Sequence, residues 1–201
     1  MSLNMKKSLL LILLCCAMIS MAQHHDFEIN GICYSYIGKN RVEVVPGGRN
    51  YEYLTTVVIP SVVTIQNVEY TVTRIDDRAF MNCSNLKSVV LPNTIQVIGS
   101  EAFEYCSSLI TINIPGSVVE IGHWAFCGCK SLNSIHLPTG LLELCAWSFK
   151  DCTSLKSITI PEGITSIPAG MFINCTSLCS VTLPNSVSMI GPSAFMGCYE
   201  L

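Results

Sequence analysis

The 201-residue sequence predicts a right-handed, curved solenoid of stacked parallel β coils with an N-terminal β-hairpin cap. Phenylalanine recurs every 23 residues, at Phe80, Phe103, Phe126, Phe149, Phe172 and Phe195. Cysteine follows three residues later each time (Cys83, Cys106, Cys129, Cys152, Cys175, Cys198), and leucine three further on (Leu86, Leu109, Leu132, Leu155, Leu178, Leu201). Proline keeps the same register at Pro92, Pro115, Pro138, Pro161 and Pro184. Four columns in one register are an internal repeat, and a repeat decides the fold before any local signal does. A unit of this size cannot bury its own apolar face, so neighbouring coils must stack and merge the columns into ladders.

Each unit has three parts. Leu109-Ile110-Thr111-Ile112-Asn113-Ile114-Pro115 alternates apolar and polar residues and ends at proline, which reads as a short strand. Proline is tolerated there because no ladder donor is needed at the strand end. Gly116-Ser117-Val118-Val119-Glu120-Ile121-Gly122 follows, with inward positions that recur as Ile95, Val118, Leu141, Ile164, Val187 and as Ile98, Ile121, Leu144, Ile167, Ile190. His123-Trp124-Ala125-Phe126-Cys127-Gly128-Cys129 is too short for a stable helix and predicts one helical or 3-10 turn that seats the Phe.

Upstream of the repeats the chain changes character. Lys6-Lys7, an apolar run to Ile19 and the small residues Ser20 and Ala22 predict a signal peptide over residues 1–22, cleaved near Ala22. The run is shorter than the roughly 20 residues of a spanning helix, so no membrane span is expected in the mature chain. A lipid-modified Cys15 or Cys16 would need a small residue before it, and Leu14 and Cys15 stand there. Removal of Lys6 and Lys7 leaves nine basic residues against fourteen acidic ones, a net charge of −5, which excludes the basic footprint of a nucleic-acid binder. Residues 23–74 are expected to form the cap. Strand-like runs cover Ile32–Ile37, Val42–Val45, Tyr53–Ile59 and Val68–Ile75, with turns at Gly38–Asn40, Pro46–Asn50 and Gln66–Asn67. The repeats fill 75–201, about five and a half units. The last stops at Cys198-Tyr199-Glu200-Leu201 before its strand, so the expectation is a longer natural protein or a loosely capped end.

The pattern Leu-x-x-Ile-x-Ile-Pro-x-x-Val-x-x-Ile-Gly-x-x-Ala-Phe-x-x-Cys-x-Ser-Leu, met almost fully by residues 109–132, resembles the BspA-like (treponemal-type) leucine-rich-repeat family. The resemblance is strong over 75–201 and looser over 26–74, where Asp26–Tyr34 looks like the cap that precedes such arrays. It implies a leucine-rich-repeat solenoid in a secreted or surface protein of a host-associated microbe. Some members of that family are adhesins for host matrix proteins.

Candidate chemistry was sought column by column. Cysteines 23 apart point the same way from coils about 4.8 Å apart, which holds the β-carbons beyond disulfide reach. The cysteine column therefore reads as a thiol ladder used as small apolar filler. Cys33, Cys127, Cys145 and Cys179 lie outside it and are the candidates for bridges or reactive thiols. No metal site and no cofactor are expected, because no paired Cys-x-x-Cys with histidines occurs. No Gly-rich phosphate loop and no Ser or Cys with a placed His and carboxylate appear, so the chain is not expected to be an enzyme.

Two surfaces remain as partner sites. The outward strand residues are small and hydroxyl-rich and include Asn113, His136 and Thr159, either a face for an extended partner or an ordinary solvated surface. The column Arg78, Glu101, Trp124, Trp147, Gly170, Ser193 should also face outward, with Tyr105 near. Its tryptophans, about 5 Å apart in consecutive coils, suit a protein hot spot or a sugar-stacking platform, or else cover a repeat junction. The expected function is recognition of a protein or glycan on a host or microbial surface. The alternative is a structural spacer in a larger surface protein.

Overall fold

A computed structural model describes residues 25–201, and the signal-peptide reading of 1–22 lies outside them. The described chain is a parallel β-solenoid entered through an antiparallel meander. Strands β1 (Phe27–Ile29), β2 (Ile32–Gly38) and β3 (Arg41–Val44) pair antiparallel in sequence order. Asn30-Gly31 and Asn40 supply the positive φ their turns need. Beyond β3 the sequence expectation changes. Pro46–Asn50 does not close a hairpin but leads into a 3-10 helix, Gly48–Tyr53. Tyr51 is the cause: its ring is buried, packs against Gly47 and stacks on Phe80 at 5.1 Å, and its hydroxyl accepts the Cys33 amide at 2.6 Å.

Held this way, the chain next forms β4 (Thr56–Val58), shorter than the run Tyr53–Ile59 suggested. Strand β5 (Val62–Ile65), unforeseen in the sequence, then pairs antiparallel with β6 (Val68–Ile75) across Gln66-Asn67. Strand β6 runs parallel to β3 on one side and to the first repeat on the other, so the meander and the solenoid share one sheet.

Each repeat then contributes two strands: β7 (Ser88–Val90) with β8 (Val97–Ile98), β9 (Thr111–Asn113) with β10 (Glu120–Ile121), and β11 (Ser134–His136) with β12 (Glu143–Leu144). The last two coils hold β13 (Ser157–Thr159) with β14 (Ser166–Ile167), and β15 (Ser180–Thr182) with β16 (Met189–Ile190). Pairing is parallel with a shift of one repeat, as in Ser88↔Thr111 and Thr111↔Ser134. Between the strands, Phe80, Phe103, Phe126, Phe149 and Phe172 are fully buried and stack at 5.3, 5.4, 5.6 and 5.9 Å, with Phe195 a further 5.4 Å on. Such offset stacks add to the burial of the rings themselves, which is the main stabilising term of the array.

The segment that seats each Phe is not the helical turn the sequence suggested. It is a run of separate reverse turns, for example Ala79 N–H to Asp76 O, Met81 to Arg78 and Cys83 to Phe80. Two positions per coil have left-handed φ, which no α- or 3-10 helix tolerates. The first column is Arg78, Glu101, Trp124, Trp147, Gly170, Ser193, and the second is Asn82, Tyr105, Gly128, Asp151, Asn174, Gly197. The cysteine column follows, and all ten described cysteines are free. Each thiol from Cys106 onward donates to the carbonyl of a Phe in the preceding coil: Cys106 to Phe80 at 3.1 Å, Cys129 to Phe103 at 3.2 Å, Cys152 to Phe126 at 3.2 Å, Cys175 to Phe149 at 3.1 Å and Cys198 to Phe172 at 3.0 Å. Cysteine is thus more than filler, since its weak donor satisfies a buried acceptor that alanine would leave with one partner fewer.

Both ladders break at one junction. Among the described residues, β11 does not pair with β13, nor β12 with β14. Elsewhere Gly99, Gly122, Cys145 and Gly191 donate their amides to Ile75, Ile98, Ile121 and Ile167 of the coil before, at 2.8, 2.8, 3.0 and 2.7 Å. Pro168 occupies that position at the break and has no N–H to give to Leu144. Ser117 and Ser186 bridge to Ile95 O and Ile164 O through their hydroxyls at 2.6 and 2.8 Å. Glycine holds that register both at the break (Gly163) and at the intact junction before it (Gly140), so the missing hydroxyl is not what parts the coils. The turn side stays knitted: Trp147 N–H to Ala169 O at 3.2 Å, Phe149 to Met171 at 3.1 Å and Asp151 to Ile173 at 2.7 Å. On the strand side the Lys156 amide still reaches Asn133 O, at 3.4 Å, but the ladders beyond it are lost, and the Phe149–Phe172 spacing is the widest of the stack, 5.9 Å.

Candidate functional site

The outward tryptophans are built on strained backbone. Trp124 has φ 52° and Trp147 φ 59°. A left-handed conformation costs an L-residue with a full side chain roughly 1–2 kcal/mol, and glycine almost nothing. Both amides are satisfied, donating to Ala146 O and Ala169 O at 3.2 Å, and both carbonyls accept from Cys127 and Lys150 at 3.0 and 3.1 Å. The indoles lie parallel, centroids 4.7 Å apart at 6°. Both residues are half-buried. Trp147 stacks on Trp124 through one face, and its Cδ1 and Nε1 approach Gly170 of the next coil.

His123, which sequence reasoning left unassigned, is exposed beside the stack, its ring 5.7 Å from Trp124 and 6.2 Å from Trp147. On the other side of Trp124 in the same column, Glu101 takes both guanidinium nitrogens of Arg78 at 2.7 and 3.0 Å. That hydrogen-bonded pair holds the Glu101 carboxyl below the ordinary carboxylate range. Tyr105 is exposed but stands in the second left-handed column, packed over Gly128 and outside the indole stack. The turn face therefore presents a row of Arg78–Glu101, Trp124–Trp147 and His123, with Tyr105 apart from it.

On the strand face, Asn113, His136 and Thr159 all point to solvent. Asn113 pairs in register with His136 on an intact ladder. His136 and Thr159 instead face each other across the split junction. They line a groove of about 360 Å³ together with Ser134, Thr139, Ser157 and Pro161, floored by Ile135 and Ile158. A groove that exposes two unpaired strand edges offers main-chain donors and acceptors as well as hydroxyls. The Ile, Leu and Phe columns run through this junction unchanged; the sequence signals for it are Pro168 in the register of Gly99, Gly122, Cys145 and Gly191, and Ser148 and Met171 in the buried alanine register.

Neither Cys127 nor Cys145 is activated. Burial, then the Glu104 carboxylate, pushes the Cys127 thiol up to about 12. Burial, then Glu143 (Sγ to Oε1 3.6 Å), pushes Cys145 up to about 11. Cys179 alone among the described cysteines is fully exposed, its thiol on Lys156 O at 3.3 Å. A disulfide reagent added to the native protein at pH 8 is therefore expected to modify Cys179 first. The buried column should react only as fast as the protein unfolds. Rapid modification of Cys129 or Cys152 in a still-folded chain would contradict the closed ladder.

Six copies of the BspA-type leucine-rich-repeat model match residues 73–201. Among solved structures, a leucine-rich-repeat protein from Bacteroides ovatus is 40% identical with TM-score 0.82, over 88% of this chain and 46% of that one. A leucine-rich cell surface protein from Faecalibacterium prausnitzii is 34% identical with TM-score 0.73, over 85% and 46%. The leucine-rich-repeat protein of T. pallidum is 27% identical with TM-score 0.67, over 87% and 90%. The chain thus spans about half the length of the first two structures. A comparison with curated protein sequences gave no significant match. No helix among the described residues is long and apolar enough to cross a membrane.

Proposed function

The chain belongs to the BspA-type leucine-rich-repeat family, and from that premise we propose that it is a secreted or cell-surface binding module for a protein or glycan of a host or microbial surface. Family and fold are of a kind that mediates interaction and is typically without enzyme activity. The domain reading that goes with this is a signal peptide over 1–22, a cap over 23–74 and repeats over 75–201.

The observation that carries the proposal is the Trp124–Trp147 stack. Two large aromatics occupy left-handed positions that Gly170 and Ser193 fill in the following coils. Strain of this kind is kept where surrounding structure or function over-determines it, and a spacer has no need of half-exposed indoles at that position. The stack also bears on partner chemistry. Sugar stacking needs a free ring face, and the face of Trp147 toward Trp124 is taken. The half-buried indoles with His123 beside them suit a protein or glycan partner there, with Asn113, His136 and Thr159 as the second candidate surface.

The test screens the chain from Gln23 against matrix proteins and glycans, beside a Trp124→Ala/Trp147→Ala double variant whose thermal stability is matched. Central aromatic anchors cost about 2 kcal/mol or more when truncated, so affinity should fall roughly 30-fold or further. Equal binding by both proteins would move the site to the strand face. No binding by either would favour the spacer.

A further inference from the structure

One cluster of ligand-type side chains lies outside both surfaces. In the β1–β2 meander, Glu28 stands directly opposite Cys33, and His25 precedes β1. The imidazole nitrogen, carboxylate oxygen and thiol sulfur of these three residues all lie within 4.8 Å of one another. The backbone around them is pinned. Asp26 donates its amide to Tyr34 O at 2.9 Å, and its carboxylate accepts the Tyr36 amide at 2.8 Å. Phe27 stacks on Tyr34 at 5.5 Å. Cys33 is not part of the repeat ladder, so the thiol-to-Phe carbonyl bond made by the buried Cys106, Cys129, Cys152 and Cys175 does not explain it.

We propose that His25, Glu28 and Cys33 form a site for a zinc-class divalent transition ion, with water completing the coordination. The donor set is one that zinc takes: imidazole, carboxylate and thiolate at about 2.0–2.3 Å, and three protein ligands with an open fourth position are a known arrangement. Donors around such an ion sit roughly 3.5 Å apart, so the triad must close by about an ångström. His25 and Glu28 are exposed and can turn inward, while Cys33 is fixed. Thiolate and carboxylate together neutralise the ion. The buried Tyr51 hydroxyl accepts the Cys33 amide at 2.6 Å and so lies beside the thiol, where its own proton can serve a ligating sulfur as an outer hydrogen bond. Burial raises the free Cys33 thiol, so binding must displace its proton to the solvent, as metal–thiolate sites do generally. The absence of any Cys-x-x-Cys pattern hid the triad, since its members meet only across the Asn30-Gly31 turn.

The test is a cobalt(II) titration of the reduced chain from Gln23, free of any polyhistidine tag, followed by zinc competition. The expected result is one equivalent bound, with the near-ultraviolet sulfur-to-cobalt absorption of a thiolate ligand, bleached on adding zinc. Cys33→Ala should abolish that absorption. His25→Ala and Glu28→Gln, both on exposed side chains, should weaken cobalt binding by at least the roughly 10- to 100-fold that loss of an outer-shell partner costs. The proposal is overturned if no thiolate absorption develops, if it survives in Cys33→Ala, or if His25→Ala and Glu28→Gln bind cobalt as the parent does.

Discussion

Phe126→Ala is expected to destabilise the protein by roughly 3–5 kcal/mol, the range for truncating a fully buried Phe in a packed core. The ring is stacked on both sides, at 5.4 Å to Phe103 and 5.6 Å to Phe149, so its removal opens a void between two coils that cannot collapse without shortening the sheets. With roughly 2–4 °C lost per kcal/mol in a chain of this size, thermal unfolding should begin about 6–20 °C lower. The position matters as much as the residue. Phe195 is only partly buried and has one ring neighbour, Phe172, at 5.4 Å. In a solenoid whose units touch only adjacent units, Phe195→Ala should fray one end at a fraction of the cost. Thermal denaturation of the two variants side by side decides it, and equal losses would mean that the stack is not the cooperative core.

The reason Phe126 was legible in the sequence is the reason other features were not. A ladder repeats because every coil makes the same contact, so the 23-residue columns announce the strands, the Phe stack and the outward Trp column together. Tyr51 escapes because it plays the Phe role 29 residues before Phe80, outside the period. Strand β5 escapes because the Gln66-Asn67 turn was recognisable while its upstream partner, Val62–Ile65, is short and carries no repeat signature. The second left-handed column is readable in hindsight, since Asn82, Gly128, Asp151, Asn174 and Gly197 are residues that tolerate positive φ. The first column contains one glycine among Arg, Glu, Trp, Trp and Ser, so the strain beneath Trp124 and Trp147 leaves no trace in composition. The groove between His136 and Thr159 is set by what the chain lacks, an amide at Pro168. Hydrophobic patterning does not register an absence.

That explanation predicts that the split can be copied. Gly122 donates its amide to Ile98 at 2.8 Å, in the middle of an unbroken sheet. A β-carbon there would stand 2.6 Å from Ser100 N and 2.7 Å from Gly99 C, main-chain atoms that cannot swing aside. Gly122→Pro removes the donor, leaves the Ile98 carbonyl without it and pushes the two coils apart. The expected cost is about 3 kcal/mol or more, the scale for proline at a hydrogen-bonded interior position. Faster amide exchange should be confined to Val119–Ile121, with the turn-side bond from Glu101 to His123 O still protected. The reverse change, Pro168→Gly, returns an amide opposite Leu144 O. Its gain of about 1 kcal/mol from the hydrogen bond is offset by a similar entropy cost of glycine in the unfolded chain, so stability should barely move. Exchange at Ser166 and Ile167 should nevertheless slow as the strands re-pair. If Gly122→Pro proves as mild as Pro168→Gly, a missing amide is not what parts the coils. The side chains facing the groove, Thr139 and Pro161 first, would then have to hold it open.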